Sequence, residues 1–264
     1  MPHHPGHEPA RLQVTTLWDH PTRDYGGETH GNRYYAGSTP AWLIWNLLTR
    51  YTKAGDTVVD PMCGSGTTLD VAADLGRTGR GFDLKPTRPD IAPADARSIP
   101  LGNETADFLF MDPPYSTHID YSDDPRCIGK LNAATPDYWQ SMQLVCRDAA
   151  RVLKNGAHMA VYVSDSWEKS AGFLPIGFEM FAILREIFTP VDIITVKRYG
   201  KKVEQGNYRK AAEEGNFFLR GFNYLFIMRK ELRAVRDQRL EQARKNPRKP
   251  PKQLRPMPPL PAED

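Results

Sequence analysis

Residues 57–76, TVVDPMCGSGTTLDVAADLG, constrain the fold more than any other stretch of this chain. A short β-branched run (57–60) stops at a carboxylate, Asp60. A glycine-bearing loop, DPMCGSGTT (60–68), follows, and LDVAADLG (69–76) has helical character with Gly76 as its stop. A buried strand followed at once by a helix is half of a strand–helix–strand unit, which belongs to a parallel sheet covered by helices. The alternation recurs down the chain. RGFDL (80–84), a segment near 91–96, the strongly apolar ADFLFMD (106–112), HMAVYVSD (158–165), TPVDIITVKR (189–198) and GFNYLFIMRK (221–230) are predicted strands. TPAWLIWNLLTR (39–50), capped by Thr39 or Ser38 with Pro40 in the first turn, is a predicted helix. So are 138–153, ended by a Lys154-Asn155-Gly156 turn, and 177–187. The last two strands have no clear helix between them, which predicts a closing antiparallel hairpin. The expected fold is α/β with a mainly parallel sheet.

Composition brackets this domain on both sides. Residues 1–34 are rich in Pro, Gly, His and Thr and read as an irregular arm, leaving 35–230 as the folded domain. Residues 231–264 form a basic, Pro-rich tail expected to be disordered. The segment 229–255 alone carries +8 when the whole chain carries +3, so attraction to polyanions is concentrated there, or the tail merely solubilises. A content of 40% hydrophobic and 25% charged residues excludes a wholly disordered chain. No apolar run approaches the length of a membrane helix, and residues 1–10 lack the apolar core of a signal peptide. Cys63, Cys127 and Cys146 are odd in number and widely spaced, which argues against a disulfide scaffold or zinc finger and points to a reducing cytoplasm.

The chemistry-bearing residues gather at predicted strand ends. Gly64 and Gly66 let backbone approach a ligand, and the helix start at Thr67 offers free N–H groups, so a nucleotide-like molecule fits this loop. There is no GxGxxG and no Gly-Lys-Ser/Thr, which disfavours a dinucleotide or ATP. Asp83 ends the next strand, where a carboxylate can accept from a ribose diol, and Asp95 follows the third, where it can face an adenine amine. Cys63 sits in the loop with nothing beside it to activate a thiolate.

A second group, Asp112-Pro113-Pro114-Tyr115, follows the run FLFM. The Asp112 carboxylate and the Pro113 carbonyl can both accept hydrogen bonds from a flat –NH2 group, and Tyr115 can stack on the ring that bears it. Such an amine attacks poorly because its lone pair is delocalised. Two acceptors pulling the nitrogen toward tetrahedral geometry would place charge ahead of the transition state. His118, Asp120, Tyr121 and Asp124 follow this turn and can line a base pocket.

DPMCGSGTT together with DPPY resembles the S-adenosylmethionine-dependent amino-methyltransferases that modify N6 of adenine or N4 of cytosine in DNA. The similarity covers residues 35–165 well, and 190–230 by strand pattern only. It implies a Rossmann-like sheet of seven strands with a reversed last strand. It also implies S-adenosylmethionine held by Gly37, Ser38, Thr39 and Pro40 at its methionine end, by Asp60, Met62, Cys63, Gly64, Ser65, Gly66, Thr67 and Thr68 in the loop, and by Asp83, Leu84, Asp95 and Ala96. Asp112, Pro113, Pro114 and Tyr115 become the catalytic set, with no metal. DNA is the implied partner, with RNA open, and a non-catalytic nucleic-acid-binding protein of the same fold is the alternative of another class. The loops 116–136 and 198–220 are the candidates for target recognition. In the second, Lys197, Arg198, Lys201, Lys202, Arg209 and Lys210 are candidate phosphate contacts. The target base and a monomeric or dimeric state stay open.

Overall fold

Strand ends carry the predicted chemistry, so the sheet that orders those ends comes first. The computed structural model describes residues 11–32, 34–168, 171–199 and 206–231, with 235, 238, 241–242 and 245 beyond them. The chain divides into two compact units, Met1–Lys230 and Glu231–Asp264. In the first unit the elements run β1 (Leu17–Trp18), α1 (Ala41–Tyr51), β2 (Thr57–Asp60), α2 (Thr67–Asp74), β3 (Thr78–Asp83), β4 (Ile91–Pro93) and β5 (Ala106–Met111). They continue with α3 (Pro136–Val152), β6 (Leu153–Val163), β7 (Ser166–Glu168), β8 (Gly172–Leu174), α4 (Ile176–Ile187), β9 (Thr189–Lys197), α5 (Gly206–Glu214) and β10 (Phe222–Arg229). One sheet has the order β1-β9-β10-β6-β5-β2-β3-β4, and β7 with β8 forms a separate hairpin. Only β10 runs antiparallel to its neighbours, inserted between β6 and β9. The fold is therefore a Rossmann-like α/β sheet with a reversed last strand, with eight strands rather than seven among the described residues.

Period-two patterning explains why helices cover both faces. Phe108 and Phe110 of β5 enter one apolar cluster with Ala160 of β6, Leu225 of β10, and Trp42, Ile44 and Leu47 of α1. Leu109 and Met111 enter the other, with Val161, Met228, and Met142 and Val145 of α3. All of these side chains are essentially out of water.

Several local expectations change. The cap of α1 falls on Pro40, because the Thr39 hydroxyl is engaged elsewhere, at Asp112. The turn expected at 154–156 is drawn into β6: Gly156 takes the bend at φ +83° and donates its N–H to Lys230 O at 2.8 Å. The segment 198–220, expected as a loop, contains α5. The arm is no appendage. Trp18 is 1% exposed and tilts against Trp42 at 6.1 Å, and β1 adds the eighth strand by pairing with β9. Asn46 of α1, fully buried, accepts from Gln13 N at 2.7 Å and donates to Arg11 O at 3.1 Å, which fastens the arm to the helix. In the second unit the described residues Val235, Gln238, Glu241, Gln242 and Lys245 are helical, with Lys245 paired to Glu241. The predicted disorder of the tail falls otherwise outside the described residues.

Phe110 tests this packing. Phe110→Ala should lower the unfolding free energy by about 3–5 kcal/mol, as large-to-small changes in tight cores do. The urea midpoint should fall while the denaturant slope stays unchanged.

Candidate active site

Four aspartates stand at or just past the carboxyl ends of β2, β3, β4 and β5. Asp60 is 3% exposed, accepting from Thr68 Oγ1 at 2.6 Å and from Met62 N at 3.1 Å. Burial pushes its carboxyl up to about 7 against those two bonds. Asp83 accepts from Gly64 N at 3.0 Å and Lys85 N at 2.9 Å, and burial again raises it. Asp95 differs. Burial would raise it, but the Arg97 guanidinium binds both of its oxygens, at 3.0 and 2.7 Å, and holds it below the usual range. Asp112 accepts from Thr39 Oγ1 at 2.6 Å and from the Tyr115 hydroxyl at 2.5 Å, and burial pushes it up to about 7 despite both donors.

The glycine loop is shaped by the protein's own packing. Gly66 takes φ +82° as the residue before α2, and a Cβ there would lie 2.6 Å from the Arg88 guanidinium. At Gly64, φ +46°, it would lie 2.8 Å from the Tyr35 ring. Within the protein itself, the lack of a Cβ at these two positions admits the approach of Tyr35 and Arg88. The arm braces the same loop from below. Asn32 N donates to Ser65 O at 3.0 Å, Gly31 N to Asp70 Oδ2 at 2.6 Å, and Arg23 to Thr67 Oγ1 at 3.1 Å.

These residues line a cleft open to solvent. Of the predicted cofactor set, Gly37, Ser38, Thr39, Asp60, Met62, Cys63, Gly64, Ser65, Thr67, Thr68, Asp83, Leu84, Asp95 and Ala96 line it, with Asp112 and Pro114 at its inner end. Pro40 lines the neighbouring cleft instead, and Gly66 lines neither. No Lys, Arg or His is among the described residues of its wall. Cys63 is buried, and burial, then Asp60 and Asp83, push its thiol well up, so it stays protonated. Sequence patterning missed Tyr35, Ser122, Cys127 and Ile128 in this wall. Tyr35 could have been found as an aromatic two residues before Gly37. Cys127 and Ile128 arrive on a one-turn 3-10 helix, Ile128–Lys130, that carries no signal of its own.

A second, wider cleft shares Gly37, Ser38, Asp112 and Tyr121 with the first. Tyr115, His118, Tyr162, Ser164, Lys197 and Arg198 face it. Asp120 pairs with Lys130 and Asp124 with Arg126, and neither lines a cleft. The six expected phosphate contacts are dispersed. Lys197 and Arg198 line the second cleft, and Arg209 and Lys210 sit exposed on α5 and line neither cleft. Lys201 and Lys202 lie outside the described residues. Pro113 lines neither cleft, while the Pro114 carbonyl accepts from the Tyr138 hydroxyl at 2.7 Å.

With this geometry in hand, the chain can be compared with known proteins. A family model described as N6/N4 DNA methylase matches residues 3–93. The type II methyltransferase M.MjaII of Methanocaldococcus jannaschii is 37% identical over 57 residues, 22% of this chain and 11% of that protein. M.MthZI of Methanothermobacter thermautotrophicus, also a type II methyltransferase, is 34% identical over 73 residues, 27% of this chain and 21% of that one. The matched stretches thus span about a tenth of the first relative's length and about a fifth of the second's. Among solved structures, TrmN from Thermus thermophilus superposes with a TM-score of 0.49 at 18% identity, over 74% of this chain and 50% of that one. The family-model match falls on the N-terminal third of the chain, arm and glycine loop together.

The buried carboxyls have a consequence for stability. Asp60 and Asp112 titrate higher folded than unfolded, so the folded chain binds more protons between about pH 4 and pH 7. Their contribution is fully present below pH 4 and is lost as pH rises through 7. Asp60→Asn, which can keep a partner at Thr68 and Met62, should therefore gain stability relative to the unsubstituted chain at pH 8 but not at pH 4.5. Urea midpoints at the two pH values check the sign.

Proposed function

We propose that the chain is an S-adenosylmethionine-dependent methyltransferase that modifies the exocyclic amine of adenine (N6) or cytosine (N4) in DNA. The observation that carries this is the meeting of two unlike clefts at Asp112. The first is acidic and free of cations among its described residues, which suits a cationic nucleoside and opposes a pyrophosphate. The second is open and carries Lys197 and Arg198, which suits a polyanion. When bound, S-adenosylmethionine supplies a methyl group made electrophilic by its sulfonium.

The donor set of the first cleft fits that molecule. Asp83 has lone pairs left for a ribose diol, and Leu84, Ala96 and Ile128 offer apolar faces for a purine. Asp60 lines the same cleft and, when ionised, can meet an ammonium. Thr39, Ser38 and Ser65 add hydroxyls.

Asp112 receives the target amine. Thr39 and Tyr115 each occupy one lone pair of its carboxylate, which fixes the plane of the group and leaves an outward lone pair on each oxygen. A proton shared with the amine strengthens the nucleophile only when Asp112 is ionised. The support from known proteins is the DNA-methylase family match together with two type II methyltransferases as relatives.

Mass spectrometry of nucleosides from DNA incubated with the protein and labelled S-adenosylmethionine tests the proposal and names the base. Label in N6-methyladenine or N4-methylcytosine is expected, and Asp112→Ala should remove it while leaving cofactor affinity within a few-fold. No label in any base would overturn it.

Two finer outcomes follow from the hydrogen bonds. The rate at limiting substrate should rise with pH and level off above about 7, as Asp112 ionises, and Asp112→Asn should flatten this limb. Tyr115→Phe removes one donor to the carboxylate, so the limb should move to higher pH with activity retained. Tyr115→Ala should lose the stacking face as well, worth roughly 1–3 kcal/mol.

A further inference from the structure

The rim of the second cleft is unusually aromatic for a surface. Trp167 on β7 is 55% exposed, and Phe173, its register partner on β8, is 50% exposed. Phe218, in the lining of the same cleft, is 85% exposed, and Phe217, Tyr208 and Tyr199 in that lining are half exposed. Bare rings of this kind lose free energy in water, so a cluster around one opening calls for a partner with flat faces. Cations are interleaved with them. The Arg220 guanidinium lies over the Phe173 ring at 5.1 Å, and the Lys197 ammonium over Tyr199 at 4.8 Å. Lys197 is paired with Asp19, whereas Arg198 and Arg220 have no carboxylate partner among the described residues.

The hairpin that bears Trp167 and Phe173 is fastened to the chain leaving Asp112 and Tyr115. Ser116, next after Tyr115, takes φ +67° and is 1% exposed. Its hydroxyl donates to Glu168 at 2.7 Å and accepts from Ala133 N at 3.0 Å, and Asn132 donates to the other Glu168 oxygen at 2.7 Å. His118 is hydrogen-bonded to Ser166 on the same hairpin. The aromatic rim and the acceptor of the target amine are thus built as one piece.

Resting on the proposed function, we infer that the rim is a stacking platform for an unpaired strand, and that the substrate is single-stranded DNA. A duplex hides its base faces inside the stack and presents phosphates and groove edges, to which Trp167 and Phe218 offer nothing. An unpaired strand presents every base face, and it delivers the target base to Asp112 without unstacking a pair. Aromatic faces interleaved with Arg and Lys are how proteins hold such strands without reading sequence.

The test is equilibrium fluorescence anisotropy with the full chain and a labelled 16-nucleotide DNA strand, the duplex of the same sequence, and the RNA strand of that sequence. Binding to the DNA strand at least tenfold tighter than to the duplex is expected. Trp167→Ala and Phe218→Ala should each weaken strand binding by roughly fivefold to a hundredfold. Trp167→Phe, which keeps a ring and the hairpin contacts, should recover most of the loss. Equal or tighter binding to the duplex, or alanine variants that bind the strand like the unsubstituted chain, would overturn the inference. Tighter binding to the RNA strand overturns the assignment to DNA. Binding is read without turnover, so the two levels separate. Methyl transfer with a duplex preference strikes only the strand inference. Strand binding with no methyl label in any base strikes only the methyltransferase proposal.

Discussion

A single carboxylate, Asp112, is where the molecule's constraints converge. The hydrogen bond from Thr39 spans 73 positions of sequence and pins the entry of α1 against the end of β5. Tyr115 closes on the other oxygen from three residues away. Both clefts depend on those two bonds, because Gly37 and Ser38 precede Thr39 and belong to each wall. Taking a carboxyl even partly out of water is unfavourable unless its partners are in place. The site therefore forms only as the arm, α1 and β5 dock together.

That docking explains why the arm matters. A loop with two positive-φ glycines has many conformations available, and only contacts from outside it select one. Arg23, Gly31 and Asn32 supply such contacts from one side, and Tyr35 and Arg88 fill the space where side chains would otherwise stand. The family match begins at residue 3, inside this same arm.

The central strands were legible in the sequence because β2, β5 and β6 are buried on both faces, so apolar runs such as Phe108–Met111 admit few other fates. Asp60 and Asp112 were legible for a related reason: each breaks an apolar strand at its end. The arm was not. Trp18, Tyr25 and His30 are buried singly, spaced by polar and glycine residues, so no periodicity announces them. The three-residue strands β7 and β8 are too short for alternation to register. The helix α5 was read as loop because its charges outweighed, on inspection, the helix-forming Ala211, Ala212, Glu213 and Glu214. Asp95 follows β4 and lines the first cleft, but its capture by Arg97, two residues on, depends on a side-chain fork that sequence spacing leaves open.

The inserted strand β10 has a consequence for how the chain is made. It pairs on one side with β6 and on the other with β9, in the interior of the sheet, yet it comes after both in the sequence. During vectorial synthesis β6 and β9 must wait with open edges until residues 222–229 emerge from the ribosome. Tyr162, in the wall of the second cleft, sits on one of those waiting strands. Assembly of the cleft is then a late event, gated by the most sequence-distant pairing in the sheet's core rather than by the local strand–helix units. A nascent chain halted before Phe222 would present two unpaired strand edges, and holding them apart falls to whatever attends the chain as it is made.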